Sequence, residues 1–233
     1  NGTTLTVRNY KQDALEWDGS DGGYNVNITN STFISDHNRS GFTGTFVAKI
    51  TNSNVDVINS LGNGSNSSHF EILDASNVNF NDNGAHGLSA ASLKIWNSTV
   101  NANGNGANGI HVAGALDIDQ KSVVTIEKNK CSISSKWTIP GALYIAGQSR
   151  ISDSTVTIQG NSGSGIYQKS GSLTVEPSAT LTIVKNTAEK LGLGGGVYVN
   201  GTMKLAENTV LYNNHAATAG DDIYNLGEIS FGK

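Results

Sequence analysis

Two neighbouring carboxylates near the end of the chain, Asp221 and Asp222, are the best local candidates for catalytic chemistry. Glycoside hydrolysis needs two carboxyl groups that flank the scissile bond, about 5–9.5 Å apart. An adjacent pair of aspartates supplies such groups, but a solvated turn that caps the last repeat explains the same residues. We favour the turn, so catalysis at Asp221 and Asp222 is an alternative hypothesis and not the leading one.

Residues 18–23 have the composition of half a calcium-binding loop, because Asp18 and Asp21 are interleaved with Gly and Ser. Ca²⁺ takes about 6–8 oxygen ligands, and the Glu that closes an EF-hand loop is missing here. A Gly-rich turn is therefore favoured and no cofactor is expected, with Ca²⁺ at Asp18 and Asp21 as the alternative. The five histidines show no metal-ligand spacing, and the single cysteine, Cys131, is expected to be a buried thiol.

A third group of residues suits binding better than catalysis. In five places an aromatic ring or an imidazole follows an apolar residue within a short alternating segment: His111, Tyr144, Tyr167, Tyr198 and Tyr224. Neighbouring residues of a β-strand point to opposite faces, so these side chains are expected to point outward. Aromatic rows on a polar scaffold suit sugar rings, although stacking between neighbouring strands is a purely structural reason for the same pattern.

A repeated unit must position these residues. It has a short alternating strand, a polar corner, a second alternating strand, an Asn, a variable loop and a Gly-apolar-x-apolar-x-Gly segment, and it is clearest in 93–114, 116–147 and 173–201. About nine units recur at a spacing of ~21–33 residues, in the range of solenoid repeats. Several asparagines follow the second strand, where we expect left-handed backbone and a ladder of stacked amides. These are Asn59, Asn129, Asn161 and Asn186.

Alternating strands this short cannot bury a core alone, but coils that stack in parallel can. The sequence therefore predicts an all-β fold, a right-handed parallel β-helix of about nine coils with three short strands per coil. An antiparallel sandwich and a propeller are the competing folds. At ~4.8 Å per coil, the five outward side chains would form a stripe about 20 Å long.

Composition and charge exclude several classes of protein. The net charge is −4 without a basic patch, so we expect no nucleic-acid partner. No apolar run approaches the ~18 residues of a membrane span, so no membrane insertion is expected. Strand-like alternation continues to both ends of the sequence. We therefore expect residues 1–233 to be a single domain that is a fragment of a longer array.

The phrases at 28–33, 195–201 and 219–225 resemble pectin-lyase-like right-handed β-helix repeats, and more narrowly those of large surface proteins of Gram-positive bacteria. The resemblance covers nearly the whole chain and implies a secreted or cell-surface location in a wall-anchored parent protein. That superfamily includes lyases, glycoside hydrolases, tailspikes and adhesins, so fold alone does not choose among functions. Asp221-Asp222 resembles the paired aspartates of polygalacturonase-like enzymes only as a dipeptide, because the accompanying Asn-Thr-Asp, Gly-His-Gly and Arg-Ile-Lys phrases are absent.

Three functional hypotheses follow from these patterns. The leading one is a non-catalytic adhesion module that binds a polysaccharide, a host glycan or a glycoprotein through the outward stripe. The second is a polysaccharide lyase or glycoside hydrolase, which requires carboxylates or a basic residue that converge in a groove. The third is a structural stalk, in which stacking of the aromatic residues serves stability alone.

Overall fold

The structure is a computed structural model that describes residues 2–17, 24–131, 141–189 and 192–232. All regular elements in these ranges are β-strands, and they form two long parallel sheets and one short pair. One strand from each of nine successive repeats stacks in the first sheet. The prediction of an all-β parallel β-helix with about nine coils is therefore confirmed. None of the described segments is a helix that could cross a membrane.

The first sheet has nine strands. In stacking order they are β1 (Thr4–Arg8), β4 (Thr32–Asp36), β6 (Asn54–Ile58), β8 (Asn77–Asn81), β10 (Thr99–Asn101), β13 (Val123–Glu127), β16 (Thr155–Gln159), β19 (Thr180–Val184) and β23 (Val210–Tyr212). The second sheet has 15 strands. In chain order they are β2 (Leu15–Trp17), β3 (Tyr24–Thr29), β5 (Phe42–Thr51), β7 (Ser65–Leu73), β9 (Leu88–Trp96), β11 (Ile110–Val112), β12 (Leu116–Asp119), β14 (Gly141–Ile145), β15 (Gln148–Ile151), β17 (Ser164–Gln168), β18 (Ser172–Val175), β21 (Val197–Val199), β22 (Thr202–Ala206), β25 (Ile223–Asn225) and β26 (Glu228–Gly232). The short pair is β20 (Thr187–Ala188) with β24 (His215–Ala216).

Period-2 alternation decides which residues enter the core. In the first sheet Val124, Val156 and Leu181 lie in register on successive coils, and all three are buried. Thr125 and Thr157, the residues that follow two of them, lie on the outer face. The inward rows of both sheets join into one apolar core that runs through the stack. Each fully buried Val, Leu or Ile side chain stabilises the fold by about 1.5–3 kcal/mol relative to its exposed state.

The number of strands per coil changes along the helix. In β5, β7 and β9 the third strand of one coil continues directly into the first strand of the next, giving single strands of 9 or 10 residues. From β11 onward the two are separate strands. This accounts for the weak third element in the N-terminal half of the sequence, because no turn separates the strands there.

A column of glycines lies at the point where the two strands separate. A Cβ atom at any of them would overlap with the backbone carbonyl oxygen of the residue one coil below. The column consists of Gly114, Gly147, Gly171, Gly201 and Gly227. Only glycine allows the backbones of successive coils to approach this closely. Ala91 lies below the column, in the long strand β9, which has no turn.

Buried asparagines that follow the strands of the first sheet form a continuous hydrogen-bonded ladder, which we call the Asn ladder. In every member but the last, Asn214, the side-chain Nδ2 donates to the Oδ1 of the asparagine one coil above and to a backbone carbonyl of the coil below. Each Oδ1 also accepts the backbone N–H of the residue at the ladder position one coil below, which is Ser60 for Asn83 and an asparagine for the other members. The members are Asn83, Asn105, Asn129, Asn161, Asn186 and Asn214. Every member is therefore satisfied without water.

The ladder lies one residue further along the chain than the left-handed corner. Lys128 and Lys185 have positive φ of 55° and 57°, and a ladder asparagine follows each of them. Of the four asparagines expected to combine both roles, Asn59 takes only the left-handed position, with φ of 55°. Asn129, Asn161 and Asn186 belong only to the ladder, so the expectation of left-handed backbone at these three was wrong. Ser60 occupies the ladder position of its coil, and the ladder is interrupted there.

Candidate functional site

The five outward residues of the third strand lie in register on successive coils. His111 pairs with Tyr144, Tyr144 with Tyr167, Tyr167 with Tyr198, and Tyr198 with Tyr224. The residues that directly precede them in the strands point inward and are buried in the core, as at Ile110, Leu143 and Ile166. We call these five outward residues the aromatic row. Their position follows from the parallel register, which places equivalent residues of neighbouring coils side by side.

The rings of the aromatic row stack face to face. The centroids of His111 and Tyr144 are 4.3 Å apart with an interplanar angle of 4°, and those of Tyr167 and Tyr198 are 4.3 Å apart at 3°. The Tyr144–Tyr167 and Tyr198–Tyr224 pairs are wider, at 6.0 and 5.6 Å. Neighbouring rings therefore cover the faces that a sugar would need, and the row presents ring edges to solvent. Tyr144 is only 5% exposed, so its contribution is to the stack.

Burial shifts the pKa of three members of the aromatic row. Burial raises the pKa of Tyr144 and of Tyr167, with a further contribution at Tyr167 from the adjacent Tyr198. Burial lowers the pKa of His111 to about 4, with smaller contributions from His86 and Lys169. The hydroxyls of Tyr144 and Tyr167 therefore stay protonated at neutral pH, and the imidazole of His111 stays neutral. A surface of this kind suits an uncharged polar partner.

The ring of His86 packs against His111 beside the lower end of the aromatic row, and it was missed by the sequence analysis. Its centroid lies 5.3 Å from that of His111, at an interplanar angle of 37°. The backbone N–H of Asn108 donates to the Nδ1 of His86 at 3.3 Å, and burial lowers the pKa of this histidine. His86 precedes the strand β9 instead of lying on it, so alternation within a strand could not reveal it.

Below His111 the same outward row changes from rings to short polar side chains. Ser89 is the register partner of His111, and Asn66 and Thr43 follow on the next two coils down. A groove of about 430 Å³ opens at this step, with Gly44, Ser67 and Ala90 on the neighbouring row and His111 at its upper end. Its volume lies within the range of ligand-binding clefts. The sequence analysis did not predict this groove.

Asp221 and Asp222 both bind the backbone of the last coil. The Oδ1 of Asp222 accepts hydrogen bonds from the Nδ2 of Asn214 at 2.9 Å and from the Asn214 backbone N–H at 3.3 Å. The Oδ1 of Asp221 accepts the backbone N–H of Ala216 at 2.9 Å and lies 3.1 Å from the His215 Nδ1. These contacts are those of a cap on the coil, the alternative that the sequence analysis favoured over catalysis.

The remaining candidates are a metal site and a thiol. Asp18 and Asp21 lie outside the described residues, so calcium binding there stays an untested alternative to the Gly-rich turn. Within the described ranges, no three His, Cys, Asp or Glu side chains are grouped closely enough to hold a metal ion. Cys131 is buried, and burial raises the pKa of its thiol to about 12, so it is protonated at neutral pH.

No protein-family model matches this chain, and comparisons with curated proteins and with solved structures find no match either.

Proposed function

We propose that this chain is a non-catalytic binding module of a secreted or cell-surface protein, and that it holds a glycan or another host polymer on the outward face of the second sheet. The observation that carries the proposal is the continuous outward row. It combines five stacked rings with a groove lined by hydroxyl and amide groups. An adhesion module of a Gram-positive surface protein, related to pectin-lyase-like repeats, is the setting we propose for it.

The chemistry of this face supports binding more than hydrolysis. The groove offers hydrogen-bonding groups such as Asn66 and Ser89, and the aromatic row forms a rigid wall beside it. Asp221 and Asp222, the candidate catalytic pair, accept hydrogen bonds that close the last coil. A polysaccharide lyase or hydrolase would need carboxylates that are free to approach a substrate. Enzymatic activity is therefore the alternative and not the leading proposal.

One observation favours a structural stalk as a second candidate function. Neighbouring rings cover each other's faces, and stacked aromatic pairs contribute about 0.5–1.5 kcal/mol beyond the area that they bury. Stacking alone is thus a sufficient reason for Tyr167 and Tyr198 to occupy equivalent positions. A stalk requires the row to be rigid but requires no ligand.

A glycan array probed with the purified chain separates the two functions. The test variant is Tyr167→Ala/Tyr198→Ala, and the matched control is Thr157→Ala/Thr182→Ala, which alters the same two coils on the opposite sheet. Circular dichroism must show that both variants fold. Binding that is lost in the tyrosine variant and kept in the threonine variant assigns the ligand to the aromatic row, whereas binding kept in both variants leaves the groove below His111 as its site. A wild-type chain that binds no polymer would favour the stalk.

A further inference from the structure

The groove below His111 extends along the helix axis, because its lining comes from four successive coils. Three coil steps separate Thr43 from His111, which gives a length of about 14 Å at ~4.8 Å per step. Small residues, Gly44 and Ala91 among them, line it, and the imidazole of His111 lies at its upper end. A groove of this length accommodates an extended chain molecule better than a compact one.

The lining of the groove combines polar and apolar groups. The Asn66 amide and the Ser89 hydroxyl are hydrogen-bonding groups in the outward row. Methyl groups of alanines and the backbone at Gly44 supply apolar surface beside them. Such a lining complements a ligand that carries hydroxyl groups on one side and C–H groups on the other.

The lining also lacks charged side chains. Apart from His111, which is neutral at neutral pH, its described residues are Thr, Ser, Asn, Gly and Ala. The nearest charge in the outward row is Glu16, the register partner of Thr43, and its carboxylate lies 3.3 Å from the guanidinium of Arg39. A uronate would find no cation in the groove to replace the water that its carboxylate loses on binding.

We infer that this groove binds an uncharged oligosaccharide, with the chain along the helix axis and its last ring against the edge of His111. The inference rests on the proposed function and narrows it to a site and a ligand class. The sugar hydroxyls exchange hydrogen bonds with Asn66 and Ser89. The C–H groups lie on the backbone at Gly44 and on the methyl groups of Ala91 and Ala113.

The test fills the groove without disturbing the fold. Ser89 lies directly below His111 in a position that a tyrosine occupies on the coils above, so Ser89→Tyr should continue the stack and occupy the groove. The matched control is Asn77→Tyr, which places the same ring on an exposed strand position of the first sheet. Calorimetric titration with neutral gluco- and manno-oligosaccharides and with oligogalacturonate measures the binding of each.

We expect the neutral oligosaccharides to bind the wild type and the Asn77→Tyr variant equally, and to bind Ser89→Tyr about tenfold more weakly or worse, a loss of at least 1.4 kcal/mol. Oligogalacturonate should not bind. Preference for oligogalacturonate, or neutral binding that Ser89→Tyr leaves unchanged, overturns the inference. After either result, the proposal that the aromatic row binds a glycan is still supported if the Tyr167→Ala/Tyr198→Ala variant abolishes binding. A wild-type chain that binds no sugar overturns both proposals.

Discussion

The carboxylate of Asp222 accepts the side-chain amide of Asn214 at 2.9 Å, and this contact ends the Asn ladder. In the coils below, the Oδ1 of the next asparagine fills the same role, as Asn186 shows with Asn214. At the last coil no further asparagine follows, and Asp222 folds back from only eight residues along the chain. An adjacent carboxylate, Asp221, accepts the Ala216 backbone N–H. The pair that most resembles catalytic machinery thus completes the hydrogen bonding of the core.

Two substitutions of Asp222 distinguish its role as a hydrogen-bond acceptor from the effect of its negative charge. Asp222→Asn keeps an acceptor oxygen for Asn214 and is expected to keep the wild-type melting temperature. Asp222→Ala leaves the donors of Asn214, which is 6% exposed, without that acceptor, at a cost of about 1–2 kcal/mol. Thermal melts by circular dichroism give the comparison. Equal melting temperatures for the alanine variant and the wild type would contradict a capping role.

A substitution inside the Asn ladder should lower the stability more, and Ser60 at the equivalent position provides a comparison within the same chain. Asn129→Ala removes the acceptor of the Asn105 amide and the donor to the Ala102 carbonyl, both buried. The expected loss is about 2–4 kcal/mol, since buried polar groups lose their partners. Ser60 occupies the equivalent position, and its hydroxyl has no partner among the described residues. Ser60→Asn should therefore complete the ladder and stabilise the fold by about 1 kcal/mol.

Urea unfolding of the two variants measures both changes in one experiment. The two variants must change the free energy of unfolding in opposite directions if the ladder is a stabilising element of each coil. A Ser60→Asn variant that is less stable than the wild type would show that the coil at Ser60 has no room for an amide, and that its gap is required by packing.

Local alternation explains why the sheets and the aromatic row could be predicted from the sequence. A residue such as Tyr198 lies between two buried valines, and that pattern alone assigns it to the outer face. The offset between Lys128 and Asn129 could not be read in this way, because both residue types occur in corners and only the backbone geometry tells them apart. The prediction was right about the existence of a ladder and wrong by one residue about the left-handed position.

The groove escaped prediction for a different physical reason. It lies where β5, β7 and β9 run on without a turn, so the Gly-apolar-x-apolar-x-Gly signature is missing there. Thr43, Asn66 and Ser89 look like ordinary polar strand residues until the register places them below His111. The length of these alternating segments was the available signal. It required knowledge that two strands had fused into one.

The glycine column predicts a sharp difference between two kinds of glycine. In Gly147→Ala the new Cβ would overlap with the carbonyl oxygen of Gly114, so the coils must move apart, at an expected cost of about 1–3 kcal/mol. Gly160 has a φ of 63° but no atom within 4 Å of the position of its Cβ. The equivalent residue in the last coil is Asn213, with φ of 54°, so Gly160→Asn should be tolerated. Melting temperatures of the two variants test this contrast, and equal values would refute it.

Acid should destabilise the fold through the half-buried His86 and His111 at a higher pH than that at which the carboxylates become protonated. Burial lowers the pKa of His86, and it lowers that of His111 to about 4, against about 6.5 in the unfolded chain. Between these values the unfolded chain binds protons that the folded chain does not, so the free energy of unfolding falls as the pH falls. The stabilising contribution is complete above about pH 6.5 and decreases below it.

The His111→Tyr variant isolates this effect, because a tyrosine continues the aromatic row and does not titrate in the acid range. We expect the melting temperature of the wild type to fall between about pH 6.5 and pH 5, a window in which most carboxylates remain ionised. The fall should be smaller in His111→Tyr and unchanged in the control His69→Gln, which alters an exposed histidine of the same sheet. Because burial still lowers the pKa of His86 in His111→Tyr, the fall should shrink without vanishing. An identical fall in all three proteins would assign the acid sensitivity to groups outside the aromatic row.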